Sequence, residues 1–314
     1  MKKAIVFLFL SVAAFVFAEE RIEDVPFGDF EHWTVRYIKE AALLGGKTKT
    51  LYMIGPTDTI RSNKPFVASP LSPWGSGNAH AKAFGVDKVS VSVVPERRGD
   101  GWCCRMESVL EIVRAVGIDL KALATGSIYT GHLMDPVDIR HGSDPASAID
   151  MGMPFTGRPK ALMLDYKAYI QEGEGIVFAN AGTRVKSMPG HDEGMVSVIL
   201  QYRWEEKGHV YAYRVGTGTE HFAKSTNGWV NEHRVPIWYG DITKRADFSE
   251  WDALSKERHH THNSHGKMVA VEEIGWRGDL KPTHIVIQVG AGCQKPFTGR
   301  PGNIVWCDNL KLVY

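Results

Sequence analysis

Val196-Ser197-Val198-Ile199-Leu200-Gln201-Tyr202-Arg203 puts Val198, Leu200 and Tyr202 on one side of an extended chain and Ser197, Ile199, Gln201 and Arg203 on the other. Successive side chains of a strand point to opposite faces, so this period of two reads as a strand with one face in a core. The alternation recurs outward from there. Val89-Ser90-Val91-Ser92-Val93 reads as one half-buried strand. In 101–109, Trp102, Cys104 and Met106 share a face and Arg105 and Glu107 the other. In 160–170, Leu162, Leu164, Tyr166 and Ala168 oppose Met163, Asp165, Lys167 and Tyr169. Residues 210–215, 234–239, 284–289 and 304–314 add further strands, while 106–123 and 248–258 are each read as a short helix. Strands separated by Gly/Pro loops, without alternating helices, predict an all-β antiparallel β-sandwich with long loops at 53–82, 131–159 and 256–266.

The chain has 314 residues, enough for two ordinary domains or one large sandwich, and no linker or repeat divides it. With 37 Lys+Arg against 36 Asp+Glu there is no basic excess of the kind nucleic acid requires. Residues 1–18 read as a signal peptide: Lys2 and Lys3, an apolar run from Ala4 to Phe17, and Val16-Phe17-Ala18 ahead of Glu19. The run is too short for a membrane span and no lipoprotein cysteine follows it, so an exported protein of the periplasm or beyond, without stable membrane insertion, is expected. Its removal takes two lysines and turns the formal charge from +1 to −1. Residues 19–314 then form a single domain. Export permits disulfides, and the four cysteines leave two readings: one bridge between Cys103/Cys104 and Cys293/Cys307, or buried free thiols.

Several phrases fit one order: Phe27-Gly-Asp-Phe-Glu-His-Trp33, Ala124-Thr-Gly-Ser-Ile-Tyr-Thr-Gly131, Gly152-Met-Pro-Phe-Thr-Gly-Arg-Pro159 leading into Lys160-Ala-Leu-Met-Leu-Asp-Tyr-Lys-Ala-Tyr169, Val235-Pro-Ile-Trp-Tyr239, Phe297-Thr-Gly-Arg-Pro-Gly-Asn303 and Cys307-Asp-Asn-Leu-Lys-Leu-Val-Tyr314. This order resembles the family called the putative carbohydrate metabolism domain (PCMD), over nearly all of the chain from Phe27 to Tyr314. The resemblance implies a jelly roll like those of carbohydrate-binding modules, and a role in glycan handling. Jelly-roll sugar-binding modules often hold a structural Ca²⁺ between an N-terminal Phe-Glu and a C-terminal Asp. The matching residues are Glu31 and Asp308, against a surface Glu31 and an Asx turn at Asp308-Asn309. No other cofactor is expected.

Sugar hydroxyls both donate and accept, so strand faces carrying Arg, carboxylate and amide groups suit them. Arg105 with Glu107, Asp165 with Lys167, and Gln201 with Arg203 are the polar candidates; a solvated face of cross-strand ion pairs is the plain reading of any one pair. Pyranose rings pack an apolar face on aromatics. Trp74 in its Pro/Gly loop is the foremost exposed platform, followed by Trp229, Trp238 and Tyr129, with Trp33, Trp102 and Trp306 assigned to the core. The tract His259-His260-Thr261-His262-Asn263-Ser264-His265 has metal-ligating side chains but reads as a mobile, solvated loop. Glycan binding is therefore the expected function. The alternatives are a glycoside hydrolase or lyase using Glu107 and Asp165 as its two carboxylates, and an adhesion or assembly protein with a flat apolar patch. Neither a nucleophile elbow nor a phosphate loop is present in the sequence.

Overall fold

The stretch 196–203 lies within the strand Gly194–Glu206, which turns at Lys207-Gly208 into the strand His209–Phe222. Lys207 (φ 53°) and Gly208 (φ 81°) supply the left-handed conformation a two-residue hairpin needs. The computed structural model describes residues 20–83, 86–115, 118–138 and 144–314; the expected signal peptide lies outside them.

This hairpin is the middle of a ten-stranded long sheet. From one edge the order is Met153–Pro154, His284–Gly290, Gly194–Glu206, His209–Phe222, Met268–Trp276, His260–His262, Ile149–Met151, Ser127–Leu133 and Trp74–Ser76, with Trp238–Tyr239 as a side branch. Ser127–Leu133 also pairs back with His284–Gly290 (Ile128↔Val289), so the sheet rolls over and closes on itself. The short sheet has the order Val230–Pro236, Ala161–Tyr169, Ile304–Val313, Gly101–Glu107, Val93–Arg98, with Ile22–Asp24 beside Ile304–Val313. Its pairings are antiparallel throughout.

The main core lies between the two sheets. Leu162, Leu164, Ala168, Met106, Val305 and Leu310 meet Val196, Val198, Leu200, Val215, Ile285, Ile287 and Val289, all nearly inaccessible. Each fully buried aliphatic of this kind contributes about 1.5–3 kcal/mol relative to exposure. Rolling of the long sheet buries its second face as well. There Tyr129, Met151, Ile199 and Val286 pack together, beside a cluster of Val210, Ala212 and Val271.

The all-β sandwich with long loops agrees with the sequence, whereas the helices do not. Residues 106–123 complete the strand Gly101–Glu107 and form the hairpin Val109–Ala115/Ile118–Ala124 (Val109↔Ala124). Val109, Ile112 and Val113 favour the pleated surface over a helix. Residues 248–258 hold only the 3₁₀ turn Glu250–Asp252, closed by the Asp252 carboxylate accepting from Ser249 N–H at 2.9 Å and Ser249 Oγ at 2.8 Å. The expected strand 89–93 is broken in two. Val86–Ser90 ends, and Val93–Arg98 begins after buried Asn78 Oδ1 takes the N–H groups of Ser92 and Val93, both at 2.9 Å. No described helix is long and apolar enough to cross a membrane.

Candidate functional site

Alternation in three adjacent strands of the short sheet turns Asp165, Lys167, Trp306, Asp308, Arg105 and Glu107 away from the core. Register sets Lys167, Trp306 and Arg105 in one row, with Asp165 and Asp308 paired in the next. Lys167 Nζ lies 3.9 Å from the Trp306 ring centroid, and Arg105 Cζ lies 5.8 Å from it. Trp306 Nε1 donates to Glu96 Oε1 at 2.8 Å. Arg105 Nη2 donates to Glu107 Oε2 at 2.7 Å, and its Nε is 3.2 Å from Glu96 Oε2. Lys167, Trp306, Arg105, Glu107 and Glu96 are half-buried and retain a surface toward solvent, whereas Asp165 and Asp308 are buried.

Beside this row stands Arg98, the last residue before the Gly99-Asp100 turn. Its guanidinium donates to Asp308 Oδ2 (2.7 Å), Asp165 Oδ2 (2.8 Å) and Asn231 Oδ1 (2.8 Å), and covers the Trp229 ring at 4.0 Å. One arginine thus ties together four strands of the sheet. Asp165 is filled further by Glu232 N–H (2.7 Å) and Asn309 Nδ2 (2.9 Å), and Asp308 by Asn309 N–H (2.8 Å). Burial pushes the Asp165 carboxyl up, but the bonds from Asn309, Glu232 and Arg98 outweigh it and hold its pKa below the usual value. For Asp308, burial outweighs Arg98 and leaves the pKa raised. Arg98 sharing means the two Oδ2 atoms are at most about 5.5 Å apart.

Of the residues singled out from sequence, Arg105, Glu107, Asp165, Lys167 and Trp229 converge on this face. The other five do not. Trp74 is buried (4% exposed), its Nε1 donating to Pro26 O at 2.8 Å. Tyr129 is 3% exposed and presses on Gly75, where a Cβ would come within 2.5 Å of its ring. Gln201 and Arg203 sit inside the rolled sheet: Gln201 Nε2 donates to Glu273 Oε1 (2.7 Å) and Arg203 Nε to Gln201 Oε1 (2.8 Å). The rolling explains this, since their strand face expects water in a two-layer sandwich and here meets protein. Trp238 is exposed but belongs to the long sheet, with Arg245 over its ring at 3.9 Å. Among the tryptophans assigned to the core, only Trp33 is buried; Trp306 is on the polar face, and Trp102 is half-buried under Arg97 at 4.3 Å.

Glu107 is four residues along the strand and two strands across from Asp165, on the order of 15 Å. Glycosidase carboxylates stand within about 10 Å, so this pair does not form a hydrolytic dyad. The carboxylate beside Asp165 is Asp308, and both are saturated by donors.

The expected calcium ligands Glu31 and Asp308 both have protein partners. Asp308 faces the Arg98 cation, and Glu31 Oε1 accepts the Trp102 N–H at 2.9 Å. The histidine tract is not a loose loop: His260–His262 is a strand and His259 and His260 are buried. Burial pushes the His259 pKa down to about 3. His262 Nδ1 pairs with Asp150 at 3.0 Å. The trio Glu193, His221 and Cys293 brings ligand atoms within 4.8 Å of one another at one end of the long sheet, with burial pushing the Cys293 thiol up to about 11. A metal there would first have to displace that proton. All four cysteines are free; Cys104 and Cys307 are directly paired across strands.

Sequence reasoning missed Arg98, Glu96 and Asn231. A signal existed for Arg98, because Arg98-Gly99-Asp100-Gly101 is a hairpin turn that places the arginine at a strand end. Nothing local marks it as the partner of Asp308, 210 residues away.

No family model matches the chain, and no curated protein matches it. Among solved structures, one described as a putative glycoside hydrolase from Bacteroides thetaiotaomicron aligns with a TM-score of 0.49 at 19% identity, covering 90% of this chain and 71% of that one. A second, described as a putative glycoside hydrolase from Bacteroides vulgatus, aligns with a TM-score of 0.42 at 14% identity, covering 93% and 94%.

Proposed function

We propose that the chain is an exported carbohydrate-binding protein that recognises a glycan on the polar face of the short sheet. One observation carries this reading: Lys167, Arg105, Glu107 and Glu96 surround Trp306 on a single sheet face, with Trp229 beside them under Arg98. Such a face offers directional donors and acceptors around apolar ring edges, which is what a polyhydroxylated ligand requires. Lys167 has its three donors directed at no carboxylate, and Glu107 spends one oxygen on Arg105. The order of motifs resembling PCMD and the leader-like residues 1–18 support the same reading.

Binding is favoured over hydrolysis because, among the described carboxylates of the face, Asp165 and Asp308 are locked by Arg98, Asn309 and Glu232 N–H, and Glu96 spends one oxygen on Trp306 and the other on Arg105, which leaves Glu107 without a free partner carboxylate. An acid and a nucleophile need free oxygens aimed at substrate.

The test is a glycan array followed by calorimetry on the hits. Lys167→Ala and Glu107→Gln are expected to weaken binding by about tenfold each, near 1.4 kcal/mol. Absence of binding to every glycan overturns the reading, and release of reducing ends from a bound glycan replaces it with an enzyme.

A further inference from the structure

The central hairpin outruns the sheet it packs on. Its core-facing side chains Val196, Val198 and Leu200 on one strand and Val215 on the other are buried between the sheets. Continuing on that side, the next residues are Tyr202 and Trp204, facing Tyr213 and Tyr211 (Tyr202↔Tyr213, Trp204↔Tyr211). These four lie beyond the core: Tyr202 is 36% exposed and the others are half-buried. Ring centroids from Trp204 are 5.1 Å to Tyr213, 5.7 Å to Tyr211 and 6.1 Å to Tyr202, with tilts of 32–42°.

Trp204 differs from the other tryptophans of the chain. Of the nine tryptophans, Trp33 and Trp74 are buried. Trp102, Trp229, Trp238, Trp251, Trp276 and Trp306 each have an arginine or lysine over the ring. Among the described residues, Trp204 alone of the tryptophans is neither buried nor covered by a cation. The hydroxyls of Tyr202, Tyr211 and Tyr213 take no partner among the described residues. A side of a hairpin meant for another apolar layer carries aliphatic residues, as 196–200 do. This one carries rings with wet polar tips.

The rim is polar and the base rigid. Glu272 stands opposite Tyr211 on the next strand. Arg277, held by Asp279 at 2.8 and 2.9 Å, lies over the Tyr213 ring at 5.7 Å, and His209 stacks on Tyr211 at 6.3 Å, so the open rings of the block are those of Trp204 and Tyr202. Gly275, paired with Tyr213, leaves room for the ring: a Cβ there would lie 3.5 Å from it. Beneath the hairpin, fully buried Arg214 donates to Glu273 through Nε (2.6 Å) and to Thr217 Oγ1 (3.1 Å), fixing the strands from the opposite face.

We propose that Tyr202, Trp204, Tyr211 and Tyr213 form a stacking platform for a neutral, pyranose-built oligosaccharide, distinct from the polar face of the short sheet. A pyranose presents an apolar C–H face to a ring and a hydroxyl rim to its surroundings, which matches the exposed Tyr202 and the partly exposed Trp204, bordered by phenolic hydroxyls, Glu272 and Arg277. A rigid base leaves little ordering to be lost on binding. The platform extends the glycan reading to a second surface and does not depend on the first.

The experiment titrates the protein with cellohexaose, xylohexaose and mannohexaose, read by tryptophan fluorescence and calorimetry. The wild type, Trp204→Ala, Trp204→Phe, Tyr211→Ser and Lys167→Ala are compared, with melting curves as the folding control. At least one hexaose is expected to bind, about tenfold or more weakly in Trp204→Ala and Tyr211→Ser, with little change in Trp204→Phe. Failure of all three sugars to bind overturns the platform, as does binding indifferent to Trp204→Ala and Tyr211→Ser. Loss in Lys167→Ala alone overturns it while leaving the polar face standing. Concentration-dependent dimerisation of the wild type that Trp204→Ala abolishes would make the block a protein interface and also overturn it.

Discussion

Arg98 shows how one side chain can hold two carboxylates out of water. Asp165 and Asp308 are each 6% exposed, and among the described residues the guanidinium between them is their only cation at hydrogen-bond distance. Removing one partner of a buried ionic cluster leaves charge uncompensated, at a cost of roughly 3–5 kcal/mol. Arg98→Ala is therefore expected to lower unfolding stability in urea by about 3 kcal/mol at pH 7. The deficit should shrink at pH 4, because the raised pKa of Asp308 lets that carboxyl take a proton early. A deficit independent of pH would place the loss in packing on Trp229 instead.

At the scale of elements, the phrases that carry the family resemblance turn out to be packing corners. In Ala124–Gly131, Gly126 has backbone on every side: a Cβ would lie 2.3 Å from Glu107 N and 2.6 Å from Ser92 O. Gly131 is similarly pressed on Asp150 O at 2.3 Å. In the phrase ending Gly157-Arg158-Pro159, Arg158 donates to Leu280 O (2.6 Å) and Gly278 O (2.7 Å). Gly126→Ala is expected to cost several kcal/mol in chemical unfolding, since backbone cannot yield as a side-chain tip can. Gly228→Ala, in open space but at φ 89°, should cost about 1 kcal/mol. Comparable losses at both positions would refute the packing argument.

The same scale explains what was legible in the sequence. Period-two alternation gave the strands 101–107, 161–169 and 194–206 and the outward faces of Arg105, Glu107, Asp165 and Lys167. It could not say that Gln201 and Arg203 face a second protein layer, because the rolling of the long sheet depends on pairings such as Ile128↔Val289, 161 residues apart. Nor could loop composition show that Trp74 turns inward toward Phe30, at a ring separation of 6.0 Å. Strand faces are local properties, whereas what covers them is not.

For the whole molecule, the rolled sheet puts titratable groups where protons are costly. Burial holds His259 neutral with a pKa near 3 and His284 with one near 4. Folded pKa values below the unfolded one give stability that is full above about pH 6.5 and is lost as pH falls. Glu273 is pushed up by burial but held lower, near 2, by Arg214, so its contribution is lost below about pH 4.5. His80, between Asp135 and Asp87, works in the opposite sense: its raised pKa favours the fold at low pH and is lost as pH rises through it. Two buried histidines and Glu273 outweigh one, so the melting temperature is expected to fall from pH 6.5 to 4. NMR titration should find the His259 ring unprotonated above pH 4; a titration near 6.5 would contradict its placement.

The position of the strand Ile304–Val313 has a consequence for how the molecule comes into being. It lies inside the short sheet, flanked by Ala161–Tyr169 on one side and by Gly101–Glu107 and Ile22–Asp24 on the other. A chain emerging from the ribosome amino end first has both flanking edges ready long before the strand that joins them. Until residues 304–313 arrive, two rows of unpaired N–H and C=O groups stand open, and open edges recruit other chains. Completion of the short sheet is therefore a late, long-range event, slow for the same topological reason that any non-local pairing is slow. The period of greatest aggregation hazard runs from the emergence of residues 161–169 to that of residues 304–313, while the sheet is still divided.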